Sequence, residues 1–346
     1  MAEISVTGGV FATLTPIFTL WYGHKDITYD ITPYVTSISY HDSIKNESDT
    51  IAITLDDTDG RWIKEWYPGK GDTLALHMGY QGEKLLDCGQ YIIDKIDISA
   101  PPSTVNIDGI ATSVNQALRT RNSQGFEETT LSAIASRIAQ THGLKLVGKI
   151  EPLTIDRVTQ YGETDVGFLK RLASEYGYAV KVTTKELIFS HLPTLRCLAP
   201  VKTIDRKDVS HFTFKDTINR IYKNATVQHQ NSKKKELVIY THDSQQKPST
   251  RGVGTSADTL KLNSRAPDVG AAQAKANAAL DSHNEYQQTG TLRMMGCPEL
   301  TAGNKIELTD FGVLSGQWLI DKSTHSFVRS GYTTEIDVSR GPATSQ

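Results

Sequence analysis

The stretch Gly316-Gln317-Trp318-Leu319-Ile320-Asp321-Lys322 occurs a second time, in altered form, nearer the start of the chain. The other copy reads Gly89-Gln90-Tyr91-Ile92-Ile93-Asp94-Lys95, so most positions are identical and one aromatic residue replaces another. A glycine-led alternating segment precedes each copy, beginning at Gly71 and at Gly303. Aromatic and β-branched residues bounded by glycine turns are typical of β-strands. The repeat favours two similar β-domains over its alternative, two ordinary hairpin strands that converged by chance.

The regions around the two copies have the pattern of short β-strands. In residues 1–118, segments such as Thr50–Leu55 alternate strictly between apolar and polar side chains, which indicates a barrel or sandwich. Residues 200–346 show the same pattern, interrupted by an alanine-rich helix predicted over residues 268–282 with Asp268 at its start. We therefore predict one β-barrel domain in each region.

Residues 119–199 have a different character. Thr129 or Thr130 can cap one helix, and a second helix is predicted from Thr164 to Gly177, each with an apolar face. A hairpin follows the second helix. The fold class predicted for the whole chain is mainly β with α+β character: two related β-barrel domains with a small α/β module between them.

The composition excludes several classes of protein. The chain has 346 residues, a formal net charge of −2 and no long basic run, whereas sequence-specific DNA binding needs a concentrated basic face. Its three cysteines are far apart and indicate neither a disulfide framework nor a zinc site. No leader is evident in residues 1–9, and no segment has the apolar length of a membrane anchor.

No motif indicates catalysis, a metal or a cofactor. The acidic run Asp56–Gly60 would need further calcium ligands at Leu55 and Trp66, so a polar turn is the better interpretation. The ten histidines lack metal-binding spacing and are expected to be surface or half-buried. Replacing His325 is accordingly predicted to matter less than truncating Trp318, which should fill the second barrel core.

One segment within the middle module carries a resemblance to a known family. The run Asp165-Val166-Gly167-Phe168-Leu169-Lys170-Arg171-Leu172-Ala173-Ser174-Glu175-Tyr176-Gly177 resembles the central motif of the phage late control protein D family. Its recognisable positions are Asp165, Phe168, Leu169, Leu172, Ala173 and Gly177. Weaker similarities, such as Gly296–Gly303 leading into the second copy, extend it over nearly the whole chain.

The resemblance implies a structural baseplate hub of a contractile phage tail or a phage-derived particle, similar to the N-terminal part of VgrG spike proteins. It implies a homotrimer between a sixfold tail tube and a threefold central spike, with other baseplate proteins around it. The chain ends after the second β-domain, so the spike is expected to be a separate polypeptide. DNA would pass through as cargo, and assembly would occur in the host cytoplasm. The resemblance supplies no catalytic residue and no cofactor.

Two alternatives come from other functional classes. One is a tail-associated enzyme that degrades the cell wall, and the other is a tail protein that binds a receptor or glycan. The internal repeat and the lack of catalytic motifs favour the hub. If the hub stays monomeric when alone, charged residues such as Lys305 and Glu307 are expected to protect its strand edges.

Overall fold

The computed structural model describes residues 14–44, 48–111, 120–183, 185–217, 221–231, 236–243, 257–262, 264–266 and 268–341. The segment on which the absence of a leader was judged, residues 1–9, lies outside these ranges. Among the helices of the described residues, none is both long and apolar enough to cross a membrane.

The first region is β-structured, as the alternation predicts. Ile51, Ile53 and Leu55 are each at most 1% exposed, while the residues between them are half-buried, so one face of this strand lies in the core. The elements of the region are β1 (Pro16–Tyr22), β2 (Lys25–Asp26), α1 (Thr28–Ile31), β3 (Val35–Ser43), β4 (Thr50–Asp56), β5 (Thr73–Tyr80), β6 (Leu86–Ser99) and β7 (Thr104–Ala111).

The middle region contains the two predicted helices, and Thr130, one of the two predicted candidates, caps the first. The hydroxyl of Thr130 accepts the Ala133 amide over 3.2 Å, and that of Thr164 accepts the Gly167 amide over 3.1 Å. A two-stranded ribbon of β8 and β10 was not predicted. The elements are β8 (Arg121–Thr130), α2 (Leu131–Thr141), β9 (Lys145–Val147), β10 (Thr154–Thr164), α3 (Asp165–Glu175), β11 (Tyr178–Val182), β12 (Glu186–His191) and α4 (Leu192–Arg196).

The third region returns to β-structure and holds the alanine-rich helix. Asp268 caps this helix by accepting the Ala271 amide over 2.8 Å, and the helix runs two residues beyond its predicted end. The elements are β13 (Lys202–Asp205), β14 (Val209–Asp216), β15 (Tyr222–Asn231), β16 (Glu236–Asp243), β17 (Ala257–Leu262), α5 (Val269–Asn284), β18 (Gln288–Met295), β19 (Lys305–Thr309), β20 (Gly316–Val328) and β21 (Gly331–Arg340).

Among the described residues, the strands of the first region and six strands of the third (β13, β14 and β18–β21) join in one curled, thirteen-stranded sheet, whereas β15, β16 and β17 form a separate three-stranded sheet. The order along its main path is β14-β18-β21-β20-β3-β4-β7-β6-β5-β1-β2, with β19 beside β20 and β13 beside β19. The antiparallel pair β3–β20 is the seam between the two regions. The chain is therefore mainly β, as predicted, but the sequence did not indicate that the two β-regions share a sheet.

The expected role of Lys305 at an exposed edge is wrong. Lys305 and Glu307 lie in β19, which has β13 on one side and β20 on the other. The Lys305 residue is only 7% exposed, and its Nζ donates to Gln317 Oε1 over 2.6 Å. The Lys305 ammonium is hydrogen-bonded inside the protein. A lysine buried between two strands cannot protect an open edge.

Candidate functional site

The two copies of the repeat occupy matching places in two meanders. We call β5–β6–β7 the first meander and β19–β20–β21 the second. Tyr91 lies opposite Leu74 in the first, and Trp318 lies opposite Ile306 in the second. The two partners, Leu74 and Ile306, each lie three residues after the glycine that begins their segment, Gly71 and Gly303. The strand pairing therefore has the register that the aligned sequences require.

The hydrogen bonds and irregularities of the meanders also correspond. The amide of Gly71 donates to the Ile93 carbonyl over 2.9 Å, and that of Gly303 donates to the Ile320 carbonyl over 2.9 Å. Both glycines have a left-handed backbone, with φ of +91° and +90°, which glycine adopts without strain. A register shift follows Ile93 in the first meander and Ile320 in the second. The aspartate of the repeat lies in each bulge.

The aromatic residues of the two copies anchor two separate parts of the core. Tyr91 and Trp318 are each 1% exposed. The Tyr91 hydroxyl donates to the carbonyl of Cys88, and the Trp318 indole N–H donates to the carbonyl of Leu314 over 2.9 Å. In both copies a large ring is buried while its polar atom donates to a backbone carbonyl three or four residues earlier in the chain, as buried Tyr and Trp require.

The polar residues of the repeat lie at the surface or in local contacts. Gln317 Oε1 accepts a hydrogen bond from the Lys305 ammonium. Asp94 lies in the bulge of the first meander, and Gln90 lies four residues before it. Lys95 lies opposite Asp108, just as Lys322 lies opposite Asp337. The remaining members, Gly89 and Gly316, both have positive φ at the start of the repeat.

The correspondence extends beyond the meanders to six strands in each half. The sheet order β3-β4-β7-β6-β5-β1 in the first half matches β14-β18-β21-β20-β19-β13 in the second, and the chain visits the matched strands in the same sequence. Both β3–β4 and β14–β18 contain a register shift, after Val35 and after Val209. One difference is that β1–β5 is antiparallel and β13–β19 parallel.

The family-motif residues form the core of the middle module. Phe168, Leu169, Leu172 and Ala173 face inward from α3 and are each at most 1% exposed. Gly177 follows the helix with φ of +77°, and a Cβ there would lie 3.3 Å from Cβ of Ala278 in α5. A glycine at this position permits close approach of the module to α5.

Asp165 is the polar member of the motif and is buried at the start of α3. It accepts hydrogen bonds from Gln160 Nε2 at 2.8 Å, Asn122 Nδ2 at 2.9 Å and His142 Nε2 at 2.7 Å. Burial opposes ionisation, but these bonds outweigh it and hold the pKa of Asp165 below its usual range. The carboxylate thereby joins α3 to β8, β10 and the end of α2, which is a structural role.

A second buried carboxylate, Asp42, connects all three regions. It lies in β3 and is 3% exposed. One oxygen is 2.7 Å from Nζ of Lys181 in β11, and the other accepts the amide of Ala302 over 2.9 Å. Lys181 also reaches Asp49 at 2.8 Å. Sequence reasoning missed this three-way junction, because its partners are far apart in the chain.

The interpretation of every histidine as surface or half-buried is wrong for His325, and the side chain of His142 is also largely covered although the residue as a whole is half-buried. The His142 side chain is 5% exposed in its pair with Asp165. His325 is 0% exposed, and its ring nitrogens lie 2.7 Å from the Tyr332 hydroxyl and 3.0 Å from the Leu300 carbonyl. The premise that His325 has no partner therefore fails. A histidine with both nitrogens satisfied is stable inside a core.

His325 should make stability depend on pH. Burial lowers the pKa of His325 to about 4, from 6.5 for the free side chain. Between these two pH values the unfolded chain therefore binds a proton at His325 that the folded chain does not bind. The free energy of unfolding should fall as pH drops from 7 to 4, by roughly 3 kcal/mol from this group. Urea unfolding of wild type and His325→Gln across this range measures the difference, and parallel pH profiles would contradict it.

No group of three or more His, Cys, Asp or Glu side chains that could hold a metal ion occurs within the described ranges. The Asp56–Gly60 segment forms a turn in which Asp56 Oδ1 accepts the Thr58 amide over 2.8 Å. Asp57 Oδ1 accepts the amide of Trp62 over 2.9 Å. The acidic side chains therefore stabilise the loop itself, as such turns commonly do.

Known proteins share both the fold and the sequence pattern. A tail protein of Neisseria meningitidis MC58 superposes with a TM-score of 0.69 at 11% identity, over 94% of this chain and 96% of that one. An Escherichia coli component of the type VI secretion system, described as structurally similar to phage T4 tail proteins gp27 and gp5, gives a TM-score of 0.57 at 13% identity, over 90% and 74%. The fold is therefore shared with phage tail proteins and with a type VI secretion system component.

The family follows from the sequence comparison. A family model described as phage tail baseplate hub (GPD) matches residues 115–331. A probable baseplate hub protein of Escherichia phage 186 is 26% identical over 368 aligned residues, covering 94% of this chain and 93% of the relative. The chain belongs to the phage tail baseplate hub family, the family that its central motif resembles.

Proposed function

We propose that this chain is the structural hub of a contractile phage tail or a phage-derived injection particle, a homotrimer that joins the sixfold tail tube to the threefold central spike. The observation that carries the proposal is the matched set of six strands in each half of the chain. Three copies would present six similar β-units around one axis. Such a ring has the symmetry of the tube on one face and of the spike on the other.

The remaining roles follow from this position. The ring would enclose a channel through which DNA passes as cargo, and the near-neutral net charge of −2 imposes little repulsion between copies. The hub would be assembled in the host cytoplasm and end in the baseplate of the virion, in contact with other baseplate proteins. A structural role rather than an enzymatic one fits the buried, fully bonded state of Asp165 and Asp42.

The stoichiometry of the hub with its spike tests the proposal. We expect native mass spectrometry of the protein mixed with the spike of the same particle to give three hubs per spike trimer. Six hubs, one hub or no complex would reject the adaptor. Incubation of the purified protein with peptidoglycan should release neither sugar nor peptide, whereas release would favour the cell-wall-degrading enzyme.

A further inference from the structure

The seam within one chain contains a specific strand pair. Residues 37–43 of β3 run antiparallel to residues 322–328 of β20, with Tyr40 opposite His325 and His41 opposite Thr324. The pair is well covered, since Tyr40 is 4% exposed and His325 0% exposed. Here β3, at the edge of the first half, pairs with the C-terminal end of the long strand β20 in the second half.

Each partner in this seam has a counterpart in the other half. β3 corresponds to β14. Tyr40, which lies opposite Ile51 in β4, corresponds to Phe214, which lies opposite Gly290 in β18. The far end of β20 corresponds to the far end of β6, residues 95–99, because Trp318 corresponds to Tyr91. Within one chain these two counterparts do not meet.

Each counterpart lacks a paired strand on the side where the corresponding seam strand has one. β14 pairs with β18 and has no strand on its other side among those that the structure describes. The pairing of β6 with β5 stops at Ile92, so residues 95–99 are paired only with β7. Ile98, the counterpart of the fully buried His325, is 48% exposed. Open backbone edges and an exposed apolar side chain are features that association would remove.

We propose that β14 of one copy pairs with residues 95–99 of β6 in a neighbouring copy, antiparallel and in the register of the seam. This inference rests on the proposed homotrimer and names its contact. Transferring the seam register places Asp97 opposite Lys215 and Ile98 opposite Phe214. Ser99 falls opposite Thr213.

The side chains that this register brings together are complementary. Asp97 and Lys215 are exposed and of opposite charge, and such directly opposed pairs stabilise an antiparallel ladder. In the single chain the Asp97 carboxylate is bound by Lys95 of its own strand, which holds it at the edge. The half-buried Phe214 would cover Ile98. A pairing shifted by one residue would place Lys215 opposite an isoleucine.

The contact is heterologous, because it joins two different edges of the chain. Such contacts form a closed ring or an open filament, depending on the rotation between copies. Repetition of the seam within and between chains would make every junction around a trimer equivalent. The same strand pairing would then close the ring six times, alternately within a chain and between chains.

A disulfide at the predicted pair tests this contact. In Asp97→Cys/Lys215→Cys, mixed with the spike of the same particle and oxidised with diamide, we expect covalent hub trimers on non-reducing gels. Directly opposed strand residues approach the Cβ separation that a disulfide needs, most closely at non-hydrogen-bonded positions. Each single variant, and the out-of-register control Asp97→Cys/His211→Cys, should stay largely monomeric on the gel. These comparisons also control for the native Cys197, which is exposed.

Charge exchange gives an independent measurement. Asp97→Lys and Lys215→Asp should each weaken trimer formation about threefold to tenfold, and the double exchange should recover most of the loss. A complex of three hubs per spike trimer that does not form the 97–215 disulfide would overturn the contact while leaving the adaptor intact. Equal cross-linking in the out-of-register control would overturn the register. A complex with any other stoichiometry would reject the adaptor, and this contact with it.

Discussion

Replacing Lys181 with methionine is expected to lower the free energy of unfolding by about 2–4 kcal/mol at pH 7, because it removes the cation from an ionic cluster in which Asp42 is buried and the Lys181 side chain is 33% exposed. The Lys181 ammonium lies 2.7 Å from Asp42 and 2.8 Å from Asp49. Burial raises the pKa of Asp49, and the lysine counteracts that effect. Methionine keeps the alkyl stem but leaves the buried carboxylate of Asp42 beside the half-buried carboxylate of Asp49.

Two matched variants separate this effect from loss of a surface charge. Lys145→Met removes a lysine whose side chain is 76% exposed and whose nearest carboxylate, on Glu186, is 3.7 Å away, so it should cost less than about 1 kcal/mol. In the double variant Asp42→Asn/Lys181→Met, the loss should be smaller than the sum of the single losses. Guanidinium unfolding of Lys181→Met, Asp42→Asn, their double variant and Lys145→Met gives the four losses. A Lys181→Met loss no larger than that of Lys145→Met would contradict the prediction.

Local signals in the sequence were sufficient for the elements and for the repeat. Thr130, Thr164 and Asp268 were recognisable as helix caps because a cap needs only a short side chain before an apolar periodic segment. The strand of Ile51, Ile53 and Leu55 was recognisable from its alternation. The correspondence between the two meanders was recognisable from the two pairs of short glycine-led segments, which is also local information.

Contacts between distant residues could not be predicted in the same way. Asp42 and Lys181 are 139 residues apart, and a single aspartate at the end of a strand has no feature that indicates burial. His325 lies within β20, whose side chains do not alternate strictly between buried and exposed, so neither its burial nor its partner Leu300 could be inferred. The pairing of β3 with β20 likewise depends on how the two halves meet, and periodicity within either strand carries no such information.

The truncation Trp318→Ala is expected to lower the free energy of unfolding by about 3–5 kcal/mol, because it empties the largest fully buried side-chain site in the second half. The ring packs 5.1 Å from that of Phe214, and the guanidinium of Arg340 lies 4.5 Å from its centroid. Alanine would also leave the Leu314 carbonyl without its indole donor.

The repeat supplies the matched comparison for this truncation. Tyr91→Ala removes the corresponding ring from the first half and should cause a loss of similar size, about 3–5 kcal/mol, if the two cores are related in energy as they are in register. Tyr91→Phe and Trp318→Phe keep most of the apolar volume and should each cost less than their alanine counterparts. Guanidinium unfolding of the four variants decides the matter. A Trp318→Ala loss below about 1 kcal/mol, within the range of ordinary surface substitutions, would show that this ring does not anchor the second core.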